Sequence, residues 1–232
     1  MPVLYLVPTP IADHTIDKVL PEYVISVIHS LKQFVVEDFK TARRFLSKLK
    51  HPFEINQLKI MELNEHTKVN DIQSLLPSLL AENTGVLSEA GLPCLADPGS
   101  TLVHLAHENN IKVIPLTGPS SIFMALISSG LNGQSFSFAG YLPVKRNERQ
   151  ARLRVLEKRS AVEKQTQIFI ETPYRNMLLL EDILYCCKSD TMLTIAAGIT
   201  GVDEYILTQS IKMWKAGVPD LKKRPTVFLL QA

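Results

Sequence analysis

Short apolar runs set between helical periodicities constrain this chain more than any other feature. Val3–Val7, Phe34–Val36, Thr84–Leu87 and Lys112–Leu116 are too short to stand as helices, and they are apolar nearly throughout rather than alternating. A strand apolar on both faces must be covered on both faces, which is the signature of a parallel sheet built from β-α units. The intervening segments carry the 3.6-residue period. Ile16, Val19, Leu20, Val24 and Val27 mark one helical pattern, which Pro21 breaks or kinks. Thr41–Lys50, Ile72–Leu80 and a segment from Ser100 to about Asn109 mark three more. After "TGPSS" the rhythm changes. A helix at Ile122–Ser129 leads into "FSFAGY", a long charged helix, a strand at Gln167–Ile170 and a helix around Asn176–Cys187. The closely spaced "TMLTIAAGI", "EYILTQS" and "PTVFLLQ" then predict hairpins in a mixed sheet. The fold class expected is α/β in two domains, residues 1–117 with a parallel β-α sheet and residues 118–232 with a mixed sheet. A ligand cleft between them is the expected consequence.

Composition narrows the classes of function without naming one. A net charge of +2 over 232 residues is too mild to imply a nucleic-acid partner, so such a partner has to be argued from local clusters. The three cysteines, Cys94, Cys186 and Cys187, form no C-x-x-C pair and no disulfide framework, which fits a reducing compartment. The opening "MPVLYLVPTP" lacks a basic leader and a long apolar core, and no apolar run approaches the roughly 18 residues of a membrane span. The expectation is a cytoplasmic protein with no membrane partner.

The loop "LSEAGLPCLADPGS" follows the Thr84–Leu87 run, at the strand end where open α/β sheets bind ligands. Its close is explained without function, by Asp97 as a helix cap, Pro98 at the first helical position and helix from Gly99 onward. The remainder is chemically selective. Phosphate-binding loops combine glycines with Lys or Arg, whereas this one carries Glu89 and Asp97 and no base. A ligand with hydroxyls or a cationic centre suits it. "LVPTPIAD" and "PLTGPSS" punctuate two other strand ends, and three such turns on one sheet edge enclose one pocket.

The ordered set "TPI", "VEDFKTARRFL", "NE", "SEAGLPCLADPG", "GPSSIFMALISSGL", "FSFAGYLP" and "IFIETPYR" resembles the tetrapyrrole-methylase superfamily of S-adenosylmethionine-dependent methyltransferases. More narrowly it resembles the branch that methylates a ribose 2′-hydroxyl of small-subunit ribosomal RNA. The match runs from Val3 to about Arg175 and more loosely beyond. The resemblance implies S-adenosylmethionine folded into a cleft between two α/β domains of a homodimer, with no metal. It implies cofactor contacts from Thr9 and Pro10 in the first loop and from Glu89, Ala90, Gly91 and Leu92 in the acidic loop, Glu89 standing where Asp is commoner. Ser120, Ser121 and Ile122 belong to the hinge segment, and Thr172, Ala197 and Thr226 to second-domain strand ends around adenine. The chain departs from the branch at "PTPIAD" (usually A-T-P-I-G-N), at "EDFK" (usually Glu-Asp-Thr-Arg) and at "AAGITG" (usually an Arg-Glu pair before a Leu-Thr-Lys run). Longer members also continue into a C-terminal helical extension.

Methyl transfer from a sulfonium depends mainly on alignment, and a hydroxyl acceptor gains from a general base. Glu65 in "LNEHT" matches the Asn-Glu motif and Arg175 the E-x-P-x-R motif, while Asp38 follows the second strand. These three are the catalytic candidates. For Asp38 a solvated acid at a strand end is an equal reading, and for Arg175 a surface ion pair is close behind. His104 and His107 have metal-compatible spacing but no acid or Cys cluster beside them, so an exposed helix face is the better reading. Lys145–Arg159 holds seven basic residues against two acids and, with Lys222, Lys223 and Arg224, offers a surface for RNA or a ribosomal subunit. A solvated helix face explains it as well. A tetrapyrrole or other small acceptor, and a cofactor-binding protein without catalysis, remain the alternatives.

Overall fold

Every neighbouring pair of strands in the first sheet is parallel, as the apolar runs require. A computed structural model describes residues 2–64 and 66–232, and the chain divides into two compact units, Met1–Ser120 and Ser121–Ala232. The first unit runs β1 (Val3–Val7), α1 (Ile16–Val19), α2 (Glu22–Ser30), β2 (Gln33–Val36), α3 (Phe39–Lys48), β3 (Lys59–Glu62), α4 (Val69–Gln73), α5 (Leu76–Ala81), β4 (Thr84–Leu87), α6 (Gly99–Glu108) and β5 (Lys112–Pro115). The sheet order is β3-β2-β4-β1-β5, in register Leu4–Thr84, Val3–Lys112, Gln33–Thr84 and Gln33–Lys59.

Alternate side chains of these strands feed two separate cores. Val7, Phe34, Val36 and Leu87 pack with Val24, Ile28, Phe45 and Leu46 on one face. Leu4, Val35 and Val86 pack with Leu79, Leu102 and Leu105 on the other. Burying both faces of each strand is what the lack of alternation in the sequence reflects.

The first helical pattern is broken at Pro21 as expected, with Leu20 and Pro21 between α1 and α2. Two local features depart from the sequence expectation. The expected helix at 72–80 is two short ones, because Pro77 is tolerated only in a first turn and α5 therefore starts just before it. β3 is not anticipated at all. It is an edge strand whose Lys59 and Glu62 are exposed, so it carries no continuous apolar run.

The second unit runs α7 (Ser121–Ser129), β6 (Phe136–Tyr141), α8 (Arg146–Glu163), β7 (Thr166–Glu171), α9 (Asn176–Cys186), β8 (Met192–Ala197), β9 (Tyr205–Ser210), α10 (Ile211–Trp214) and β10 (Thr226–Gln231). Its sheet is mixed, in order β6-β7-β10-β8-β9, with β6 parallel to β7 and the other pairs antiparallel. Phe169 and Phe228 stack across β7 and β10 at 6.0 Å within a core that includes Leu153, Leu179, Ile183 and Trp214. The indole N–H of Trp214 donates to the Leu193 carbonyl at 2.9 Å, which makes it a packing residue with its polar tip satisfied. Among the described residues no helix is long and apolar enough to cross a membrane, and no group of three or more His, Cys, Asp or Glu is placed to hold a metal ion.

Candidate active site

The C-terminal edge of the first sheet gathers the loops that follow β1, β2, β4 and β5. Thr9 N–H donates to the Gly91 carbonyl at 2.9 Å and Gly91 N–H returns the bond to Thr9 at 3.1 Å. This closed pair ties the first loop to the acidic loop. Gly91 holds φ at +79°, which a β-carbon disfavours. The third loop lies against both. A β-carbon at Gly118 would sit 2.1 Å from Cβ of Pro8, and one at Gly91 would stand 3.5 Å from the Pro119 carbonyl oxygen. The fourth loop joins through Glu37, whose Oε2 accepts the Glu89 N–H at 3.0 Å. Thr9 and Ser120 are buried here, Leu92 is half-buried, and Ser121 and Ile122 open α7 of the second unit.

The acidic loop is braced from within by Asp97. Its carboxylate accepts the Cys94 N–H at 2.8 and 2.9 Å and the Gly99 N–H at 2.8 Å. It lies one residue before the cap position, which is Pro98 and not the expected Asp97, and it both accepts the first N–H of α6 and closes the loop. Cys94 and Ala96 adopt left-handed φ of 67° and 68°, a strain these bonds sustain. Burial raises the Asp97 pKa, and the two backbone donors partly offset that. Burial and the Asp97 charge push the Cys94 thiol up to about 12, which removes it as a nucleophile.

A cavity of about 520 Å³ opens beside these loops, lined by Thr9, Pro10, Glu89 and Ala90 and extending to Asp13, His14, Arg44 and Lys48. Asp13 and Lys48 pair across it at 2.9 Å. Of these four only Asp13 belongs to a loop motif, closing "LVPTPIAD". The signal for two of them is the segment 39–50, which holds Lys40, Arg43, Arg44, Lys48 and Lys50 and no acid.

At one edge of the second unit's sheet, Thr226 is opposite both Glu171 and Ala197, and Thr172 follows Glu171. The register thus brings together the three strand-end residues assigned to adenine by resemblance. Arg175 is engaged locally. Glu171 Oε1 accepts the Thr172 N–H and an Arg175 Nη2 hydrogen, both at 2.6 Å, which fixes the turn leading into α9. Glu171 Oε2 and Arg175 Nε are buried without a hydrogen-bond partner among the described residues.

The remaining candidates separate clearly. Asp38 is the N-cap of α3, its Oδ1 accepting the Thr41 N–H at 2.7 Å, and hydrogen bonding from Thr41 holds its pKa below the ordinary value. Glu65 lies outside the described residues. His104 is exposed and pairs with Glu108 at 3.2 Å. On α8, Arg149 is buried, bound to Asp182 and to the Pro143 and Val144 carbonyls, so it is a core residue and not part of an RNA surface. Arg146 shares Asp182, Lys145 pairs with Glu148 and Arg159 with Glu163.

These residues fit S-adenosylmethionine, which carries a sulfonium, an α-amino group and ribose hydroxyls and no phosphate. The acidic loop offers the Glu89 carboxylate, the paired backbone of Thr9 and Gly91 ties it to the first loop, and Ser88–Gly99 contains no Lys or Arg. Comparison with known proteins agrees. No family model matches the chain. The ribosomal RNA small subunit methyltransferase I of Vibrio cholerae is 33% identical over 233 residues, covering 99% of this chain and 77% of that protein. Those of Synechocystis and Escherichia coli O157:H7 are 34% and 32% identical, with 88% of this chain and 69% and 67% of theirs covered. Among solved structures the methyltransferase CobJ aligns over 100% of this chain and 94% of its own at TM-score 0.64, and CbiF, a cobalt precorrin-4 methyltransferase, over 98% and 94% at 0.58. A conserved protein of Aeropyrum pernix aligns over 100% and 84% at 0.70. All three are 13% identical and share the fold. At this level of identity over nearly its whole length, the chain belongs to the ribosomal RNA small subunit methyltransferase I family and is a methyltransferase.

Proposed function

We propose that this protein transfers a methyl group from S-adenosylmethionine to a ribose 2′-hydroxyl of small-subunit ribosomal RNA, acting in the cytoplasm as a homodimer. The observation that carries the reading is the reciprocal Thr9–Gly91 backbone pair beside a cavity with a carboxylate and no base in its acidic loop. Identity to relatives named for that RNA supports the acceptor class. The lining is charged at Asp13, Arg44, Lys48 and Glu89, which suits a nucleotide better than the apolar macrocycle of a tetrapyrrole.

S-adenosylmethionine supplies a methyl carbon already activated by its sulfonium. The chain's own contribution is alignment. Thr9, Pro10, Ala90, Gly91 and Leu92 hold the amino-acid end and ribose, with Glu89 facing the positive charge. The resemblance assigns further cofactor contacts to Ser120, Ser121, Ile122, Thr172, Ala197 and Thr226. Glu65 accepts the proton of the hydroxyl. Asp38 does not, because a carboxylate saturated by a helix N-terminus and held low is a poor base. Arg175 is a positioning residue that orders the Thr172 turn through Glu171.

Incubation with methyl-labelled cofactor and ribosomal subunits lacking the modification tests the reading. Label in small-subunit RNA at a 2′-oxygen supports it. Cofactor binding with no transfer to any acceptor would recast the chain as a binding protein, and label confined to a small-molecule fraction would redirect it to a small acceptor.

A further inference from the structure

We infer that the outward face of α3 is the surface on which the RNA backbone lies, and that the acceptor nucleotide turns out of its strand into the adjoining cavity of the first unit. The inference rests on the proposed function and names how its substrate is held.

α3 is divided between two tasks. Ala42, Phe45 and Leu46 are buried in the core, while Lys40, Arg43, Arg44 and Lys48 are exposed, with Lys50 just beyond the helix end. Positions 40, 44 and 48 stack at four-residue intervals, so the cations form a ridge about 12 Å long. Phosphates on one strand recur about every 3.4 Å along a duplex axis, so such a ridge meets about three of them. Lys48 is paired with Asp13, and no salt bridge among the described residues involves Lys40, Arg43 or Arg44. On α8 the basic run has Lys145, Arg146, Arg149 and Arg159 tied to acids. Arg152, Arg154 and Lys158 of α8 are likewise exposed and in no salt bridge among the described residues, so what distinguishes α3 is that segment 39–50 holds no acid and that its Arg44 and Lys48 line the cavity.

An aromatic ring accompanies the cations. Phe39 is 37% exposed at the start of α3, and the Arg43 guanidinium lies 5.9 Å from its ring centroid. A guanidinium beside an exposed ring is a platform for an unstacked base. An anionic membrane is the competing partner for a basic helix, but a helix binds lipid by inserting its apolar face. That face of α3 is occupied by the core.

The cavity continues from this ridge. Arg44, Phe45 and Lys48 form one wall, the first loop forms another, and Thr9 and Glu89 are common to the cavity and the proposed cofactor loops. Its volume, about 520 Å³, is in the range of small-ligand sites. Sequence-specific reading of RNA favours splayed nucleotides, and chemistry on a single nucleotide is commonly done after it is turned out.

The test is a salt titration of binding to small ribosomal subunits lacking the modification, with S-adenosylhomocysteine affinity, melting temperature and methyl-transfer kinetics measured in parallel. In the variant K40Q/R43Q/R44Q, RNA affinity should fall about tenfold and the slope of log K against log salt should flatten by about 2, from about 0.7 per lost contact. KM for RNA should rise with kcat and cofactor affinity within about twofold. R152Q/R154Q on α8 should leave slope and KM unchanged. Ala12 lines the cavity, and Ala12→Phe should lower kcat at least tenfold while RNA affinity and cofactor affinity hold. An unaltered slope in the triple variant, transfer of the loss to the α8 variant, preferential binding to vesicles of anionic phospholipid, or an unaltered kcat in Ala12→Phe would each overturn the inference. If instead the triple variant loses RNA affinity as stated but the unmutated protein methylates no RNA, the proposed function fails and the α3 surface stands.

Discussion

Gly91→Val tests the loop convergence most directly. The glycine sits at φ +79°, and a β-carbon there would make only ordinary contacts, with the Pro119 oxygen at 3.5 Å and Ile11 Cγ1 at 3.9 Å. The penalty is therefore conformational rather than a collision. A β-branched residue in this region costs about 2–3 kcal/mol. The two Thr9–Gly91 hydrogen bonds that resist relaxation are worth about 1–3 kcal/mol together. The two sums are comparable, so valine lets the acidic loop leave its place when no ligand is bound. Ligand binding must then restore it, which puts about 1–3 kcal/mol into the affinity, roughly a 5- to 150-fold loss. The cores are untouched, so the melting temperature should fall by less than about 10 °C. Isothermal titration with S-adenosylhomocysteine and a thermal melt measure both numbers. Affinity within twofold of the unmutated protein, in a protein of unchanged fold, would show that the pair at Thr9 and Gly91 does not shape the cofactor site.

Three further outcomes check other parts of the reasoning. Glu65→Gln should lower kcat about 100-fold or more with cofactor affinity within twofold, the pattern of a lost general base, and an unaltered rate removes Glu65 from the chemistry. Arg149→Met leaves the buried Asp182 short of its main partner and should cost about 3–5 kcal/mol in urea melts, whereas Arg152→Gln should stay within about 0.5 kcal/mol; equal effects would refute the buried-pair reading. Asp38→Ala removes a helix cap worth about 1 kcal/mol. Because the folded pKa of Asp38 lies below 3.8, its stabilisation is complete above that value and disappears as pH falls through the folded value. The stability gap between variant and parent should therefore narrow below about pH 4, and a gap constant down to pH 2 would contradict the capping geometry.

Several of these residues could be read without coordinates and several could not. The four apolar runs mark the parallel strands because burial on both faces removes alternation, a property of each strand alone. Gly91 stands out because a glycine two residues after an acid, in a loop at a strand end with no Lys or Arg, has few structural explanations. Arg149 misleads, since its place in a basic run suggests solvent while its actual partner, Asp182, is 33 residues away on α9. β3 escapes notice because an edge strand needs no continuous apolar face. The basic ridge of α3 is overlooked for a related reason. Its four cations are visible in the sequence, but their meaning depends on the cavity that only the first loop completes.

Local patterns, then, specify four of the five parallel strands, most of the helices, the loop chemistry and the family, because each depends on neighbours within a few residues or on an ordered set of motifs. Tertiary structure decides which charges are free and which are bound, that Asp97 braces a strained loop, and that the turns at Thr9, Gly91 and Gly118 meet. Those outcomes depend on pairings between residues tens of positions apart, and periodicity contains no information about such distances.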